Sequence, residues 1–206
     1  WNGTLLNDVD LCFSCINRLL VSHDLKPLDT LSQYREVFTF PIEDYYKRVG
    51  FDFDKIPFSM LAHEYMEDYQ EKSYACDLHS DVLDVVNKAK NLGFSQTVLS
   101  ASKMDYLLKQ METLHVDDLF DSIYGINDIY AKSKVELAHA FKQTCSLDDE
   151  IYFVGDSVHD YEVAKSIGAK CILVTTGHQN RATLESVNVP VMDSLMESLD
   201  LIYERD

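Results

Sequence analysis

Residues able to do chemistry gather at four places in this sequence. Gly155-Asp156-Ser157-Val158-His159-Asp160 follows the apolar run Ile151-Tyr152-Phe153-Val154, so one carboxylate closes an expected strand and the other falls in the first turn of the next helix. Such a pair suits a hard cation like Mg²⁺, which takes oxygen ligands and keeps several waters. Ser100 closes the run Thr97-Val98-Leu99, Lys132 and Lys134 open a helical stretch, and the chain begins Trp1-Asn2-Gly3-Thr4-Leu5. Taken singly each has an ordinary explanation: carboxylates favoured by a helix dipole, a strand-end serine, solvated lysines. At successive strand ends of one sheet they converge on a crevice where hydroxyl and ammonium hold phosphate oxygens and a metal neutralises the rest.

The elements that must position these groups follow from apolar spacing. From Asp8, the residues Val9, Cys12, Phe13, Ile16, Leu19 and Leu20 recur at helical intervals, and further helices are expected over 42–49 and 56–74, with Pro41 and Pro57 near their starts. No strand interrupts them, so 8–78 is expected to form an all-helical unit. Beyond it helix and strand alternate: helix 80–92, strand 97–101, helix 103–114, strand 122–124, helix 132–144, strand 151–154, helix 158–167 and strand 171–175. Such alternation predicts an α/β fold whose parallel sheet is covered on both faces and binds ligands beyond the carboxyl ends of its strands.

Composition bounds the partners. With 18 Lys+Arg against 35 Asp+Glu the formal net charge is −17 and no basic stripe exists, which disfavours nucleic acid. An anion enters such a chain only through a local cation, so Mg²⁺ is a requirement of the phosphoryl reading. No apolar run reaches the roughly 20 residues of a membrane span. The five scattered cysteines fit reduced thiols in a cytoplasmic protein. Cys12-Phe13-Ser14-Cys15 lies within a helical pattern and is expected to be two buried thiols. A start at Trp1, with a turn and no strand before it, is expected of a chain trimmed at its N-terminus.

The order Trp1-Asn2-Gly3-Thr4-Leu5-Leu6-Asn7-Asp8, a helical insertion, Ser100, Lys134 and Gly155-Asp156-Ser157-x-x-Asp160 resembles the haloacid dehalogenase (HAD) superfamily, in particular its phosphoglycolate-phosphatase-like members. The resemblance covers essentially the whole chain. It implies a Rossmann-like core formed by 1–7 and 79–206 and a helical cap at 8–78 that closes over the site. It further implies Mg²⁺-dependent hydrolysis of a small phosphorylated metabolite through an aspartyl-phosphate, by a monomer or homodimer. Ser100 and Lys134 would hold the phosphoryl group, with Lys132 the fallback for Lys134, and Gly3, Thr4 and Ala101 would complete its cradle. Asp156, Asp160 and the Asn2 carbonyl would serve Mg²⁺, and Asn2, Ser100, Lys134 and Asp160 would make up the catalytic set.

Two departures matter. The family's nucleophilic Asp would directly precede Trp1, outside this sequence, and Asn2 stands where a second Asp donates a proton to the leaving group, which an amide does not do. Alternatives therefore stay open: carbon–phosphorus hydrolysis resembling phosphonoacetaldehyde hydrolase, with a cap lysine (Lys26, Lys47, Lys55 or Lys72, Lys47 foremost), or a phosphate-binding module without turnover. Arg35 is a candidate for a second anionic group on the substrate, and His178 for a substitute base. His159 is expected to pack beside the metal loop. The aromatic residues from Tyr45 to Tyr69 are expected to form cap core.

Overall fold

The structure, a computed structural model, describes residues 1–127 and 134–204. Helices α1 (Val9–Ser22), α2 (Leu31–Val37), α3 (Ile42–Arg48) and α4 (Phe58–Ser73) come first. The apolar positions of α1 that recur every three or four residues form its buried face. They meet Tyr34, Tyr45, Tyr46, Phe51, Leu61 and Tyr69 in a core whose members all lie between Val9 and Tyr69. The dense aromatics therefore pack among themselves, as their helical spacing predicts.

Helix α2 is not among the expected elements, because seven residues carry under two turns of pattern. Its signal is a cap: the Thr30 hydroxyl accepts from Gln33 N at 3.2 Å, while Gln33 Oε1 reaches back to Asp29 N at 2.8 Å.

Then helix and strand alternate: α5 (Val82–Asn91), β1 (Thr97–Lys103), α6 (Met104–Thr113), β2 (Ser122–Ile126), α7 (Val135–Thr144), β3 (Tyr152–Gly155), α8 (Val158–Ser166), β4 (Lys170–Val174), α9 (Arg181–Glu185), β5 (Val191–Met192) and α10 (Leu195–Tyr203). Among the described residues these strands pair in parallel in two sheets rather than the one expected, β1 with β2, and β3 with β4 with β5. Successive side chains point to opposite faces. Leu99 of β1 and Phe153 of β3 thus join one cluster beneath α7 and α8, whereas Val98 packs with Trp1, Leu6 and α6 on the other face. Helices α5 and α10 cover Val154 and Val174 there.

The elements beyond β4 are likewise additions to the expected order, although Ser194 caps α10 through Glu197 N at 3.2 Å and Leu195, Leu199 and Ile202 form its buried face.

The helical unit joins the sheet through two strands of chain running side by side. Asn7 N donates to Asp77 O at 2.9 Å, His79 N donates to Leu5 O at 2.9 Å, and Leu6 bridges Leu78 between them. Among the described residues no helix is long and apolar enough to cross a membrane.

Leu20 is fully buried among the helices and Val21 beside it is 58% exposed. Leu20→Ala is expected to cost about 2–5 kcal/mol of stability, and Val21→Ala to change it by less than about 0.5 kcal/mol. Urea unfolding followed by circular dichroism checks both.

Candidate active site

The loop after β3 is held by its own carboxylate. Asp160 Oδ2 accepts from Asp156 N at 3.1 Å, Ser157 N at 3.0 Å and Ser157 Oγ at 2.7 Å, while Ser157 Oγ accepts from Asp160 N. This capping box starts α8 and satisfies donors that the first helical turn leaves free. Gly155 is needed because a Cβ there would lie 2.4 Å from Asp160 Cβ and Cγ. The other oxygen, Oδ1, accepts from the Lys134 ammonium. Burial alone would raise the Asp160 pKa, but the Lys134 charge and bond, with Ser157, hold it below the usual carboxylate range.

Asp156 stands at the sheet edge, also buried. Its Oδ1 accepts from Thr4 Oγ1 at 2.6 Å and its Oδ2 from His178 N at 2.9 Å. The backbone closes on it from two sides. A Cβ at Gly3, whose φ is +72°, would fall 2.6 Å from Asp156 Oδ2, and one at Gly177 2.2 Å from the same oxygen. Each oxygen keeps a lone pair beyond its one bond. Nearby, Leu6 N donates to Trp1 O and Gly3 N to Leu6 O, both at 3.0 Å, a bridge that does not engage the Asn2 carbonyl among the described residues. A buried carboxylate with spare lone pairs and a neighbouring carbonyl fit Mg²⁺ completed by waters. Asp160, its oxygens taken by Lys134 and the capping box, is placed to orient this set rather than to ligate directly.

A second buried carboxylate, Asp8, is absent from the expected site. It stands at the head of α1 yet caps nothing. Instead its Oδ1 accepts from Gly3 N at 2.9 Å and lies 3.5 Å from His178 Nε2. Its Oδ2 accepts from Asn2 Nδ2 at 2.9 Å, Tyr69 OH at 2.6 Å and Cys12 Sγ at 3.4 Å. Burial would raise its pKa; the bond and charge of His178, helped by Tyr69 and Asn2, hold it well below the usual range. His178 shifts the other way: burial would lower it, but Asp8 and then Asp156 raise it. Asp8, Cys12 and His178 bring ligand-type atoms within 4.8 Å of one another, but these already bond among themselves, and burial pushes the Cys12 thiol up.

Asn2, Ser100, Ala101, Lys134, Asp156 and Asp160 line one cavity of about 180 Å³. Ser100 Oγ accepts from Ser102 N at 3.0 Å, and the Ser102 hydroxyl donates to Asn2 Oδ1 at 2.5 Å. The indole of Trp1 donates to Gln110 at 2.8 Å, and its buried backbone nitrogen has Lys134, Asp160 and Asp156 as charged neighbours. Gly3 and Thr4 reach the site through Asp156.

Arg35 does not line the cavity. Its guanidinium donates to Gly177 O at 3.0 Å and Thr176 O at 3.3 Å, because those carbonyls face α2 across the interface. Both ring nitrogens of His178 are engaged, Nδ1 with Tyr34 OH at 2.8 Å and Nε2 beside Asp8, so it clasps the helices rather than meeting a substrate proton. His159 stacks on Phe40, with ring centres 4.8 Å apart. Lys132 lies outside the described residues. Sequence reasoning missed Asp8, Tyr69 and Ser102. An acidic residue before an apolar run has the pattern of a helix cap, and nothing local announces that Asp8 is 1% exposed.

The sequence profile of the haloacid dehalogenase-like hydrolases matches residues 2–174, and the chain belongs to this family. A predicted phosphatase from Clostridium acetobutylicum superposes with a TM-score of 0.83 at 18% identity, covering 99% of this chain and 95% of that one. A haloacid dehalogenase-like hydrolase from Streptococcus pneumoniae gives 0.82 at 19% identity over 98% and 95%. A predicted phosphoglycolate phosphatase from Haemophilus somnus gives 0.76 at 17% identity over 98% and 95%. At such identities the likeness is one of fold. No match was found among curated proteins.

The Asp8–His178 pair makes stability depend on pH from both sides. Asp8, held low when folded, contributes fully above its unfolded pKa of about 3.9 and loses that contribution as pH falls. His178, held high, contributes fully below its unfolded value of about 6.5 and loses it as pH rises through the folded value. Metal-free protein in EDTA is therefore expected to resist urea best between about pH 4 and 6.5, and His178→Asn to remove the alkaline decline. Urea midpoints across pH check both.

Proposed function

We propose that this chain is a Mg²⁺-dependent phosphatase acting on a small phosphorylated metabolite. What supports this is the meeting of Ser100, Lys134, Asp156 and Asp160 with the turn at Asn2 in one cavity, since hydroxyl, ammonium and cation-binding carboxylate together answer a phosphoryl group. Ser100 Oγ and the Lys134 ammonium hold non-bridging oxygens. Asp160 fixes that ammonium and the loop carrying Asp156. Asp156 and the Asn2 carbonyl would hold Mg²⁺, which when bound offsets phosphoryl charge in a chain at −17.

The route proposed is in-line transfer to an aspartate joined directly ahead of Trp1, then hydrolysis of the aspartyl-phosphate. What supports it is the burial of the Trp1 backbone nitrogen with Lys134, Asp160 and Asp156 as charged neighbours. Helices α1–α4 act as the cap, excluding water from the cavity they help line. Asn2 does not protonate the departing oxygen: its amide oxygen accepts from Ser102 and its nitrogen donates to Asp8 and Tyr69. The same locked amide favours a second reading, a phosphate-binding module that turns over slowly or not at all. A Schiff-base route finds little support, because Lys26, Lys47, Lys55 and Lys72 pair with Asp29, Asp44, Asp52 and Asp68 and none lines the cavity.

The test is hydrolysis of p-nitrophenyl phosphate by protein carrying an aspartate immediately before Trp1. Activity is expected to vanish with EDTA, with Asp156→Ala, and when that aspartate is replaced by Asn. Asn2→Asp is expected to raise kcat on esters with poor leaving groups by about 10²–10⁴-fold, the usual worth of general acid help. Metal-independent activity would refute the proposal, and tight Mg²⁺-dependent phosphate binding without turnover in any of these proteins would select the binding module.

A further inference from the structure

We propose, resting on the phosphatase reading, that the substrate's leaving group is small, uncharged and apolar, of the kind offered by a phosphomonoester of an aromatic or short aliphatic alcohol. Three observations carry this.

The first is the lining of the cavity. Beside its polar groups the cavity is lined by Phe40, Ile42 and Met66 and by the rings of Tyr65 and Tyr106, with Phe40 stacked on His159 of the loop that carries Asp156. Polar side chains around it already have partners: Gln110 bonds the Trp1 indole and Ser73 Oγ at 2.8 Å each, and Gln70 donates to Tyr74 OH at 3.2 Å. An apolar group gains by leaving water for such a wall, whereas a polyhydroxylated one loses hydrogen bonds that the wall does not return.

The second is size. A cavity of about 180 Å³ is little larger than the roughly 150 Å³ that holds one benzene ring and lies below the roughly 300–1,000 Å³ of sites for drug-sized ligands. With the phosphoryl group seated among the polar groups, the sheltered part that remains takes a single ring or a short chain, and anything larger extends through the open side into solvent.

The third is charge. Arg35 spends its guanidinium on the Thr176 and Gly177 carbonyls, outside the cavity. Lys134 is paired with Asp160. Among the described residues the other basic side chains on the wall are Lys103, whose ammonium lies 2.7 Å from Asp105 and 4.8 Å from the centre of the Tyr106 ring, and His178, whose ring nitrogens face Tyr34 OH and Asp8. Asp8, meanwhile, also lines the cavity, buried and ionised. A second carboxylate or phosphate on the substrate would meet no uncommitted cation and would face Asp8, a like-charge approach in a water-poor site.

The experiment is isothermal titration of the full chain, with Mg²⁺, by inorganic phosphate, phenylphosphonate and phosphonoacetate. The protein titrated carries an aspartate immediately before Trp1, and binding is read rather than turnover. Phenylphosphonate is expected to bind at least tenfold more tightly than phosphonoacetate. Ile42→Lys, which adds a cation to the apolar wall, is expected to shift that ratio at least tenfold toward phosphonoacetate. Lys103→Met is expected to leave phosphonoacetate affinity where it was; a marked loss would reveal Lys103 as a partner for a second anion and overturn the inference. Phosphate binding without preference for phenylphosphonate sinks this inference and spares the phosphatase reading. Failure of inorganic phosphate to bind sinks that reading, and this inference with it.

Discussion

A buried carboxylate must be surrounded by donors or not be ionised at all, and Asp8 carries that constraint for the whole molecule. Its two oxygens draw on the turn at Asn2 and Gly3, on Tyr69 of α4 and on His178 after β4. These groups come from both ends of the chain and from both the helical unit and the sheet. Burying such a charge without partners costs far more than any one hydrogen bond returns, so the segments must arrive together. His178 passes the order on, since its backbone N–H donates to Asp156 while its ring stacks on Phe38 at 4.9 Å and bonds Tyr34.

The catalytic end is organised by the same rule. Lys134 and Asp160 form an ion pair with both side chains nearly inaccessible to water. The attraction inside such a pair is largely offset by desolvation, so its value lies in position: it fixes an ammonium in the cavity that Ser100 also lines and a loop that presents Asp156. Glycines at 3, 155 and 177 let the backbone approach these carboxylates where any Cβ would collide. The helical unit is fastened over the result by Tyr34 and Phe38 on His178, by Gln179 Nε2 on Phe38 O at 3.1 Å, and by Arg35 on the 176–177 carbonyls.

Much of this is legible in the sequence. The 3.6-residue spacing of α1, the apolar runs that become β1, β3 and β4, and the polar residues closing them are local patterns, and the elements form within a few residues of where the pattern puts them. Short elements such as α2 and α9 carry too little period to register, and the caps at Thr30 and Asn180 are the local signal that marks them. Arg35 illustrates the opposite limit. Its chemistry suits an anion, but its direction depends on which carbonyls lie across the interface, and those belong to residues 141 and 142 positions away.

The sequence by itself determined the kinds of groups at the strand ends, the alternation that builds a parallel sheet, and the helical segment set between its first turn and its second half. Such features depend on residue type and spacing along the chain, which folding does not alter. Only the tertiary structure decided that Asp8 lines the same cavity as Ser100 and Asp156, that His178 has no ring nitrogen to spare, that Arg35 bonds the 176–177 carbonyls, and that much of the cavity lining is apolar. Each of those is a question of which partners satisfy a buried charge or cover a cavity, and the partners come from remote segments whose meeting no local pattern records.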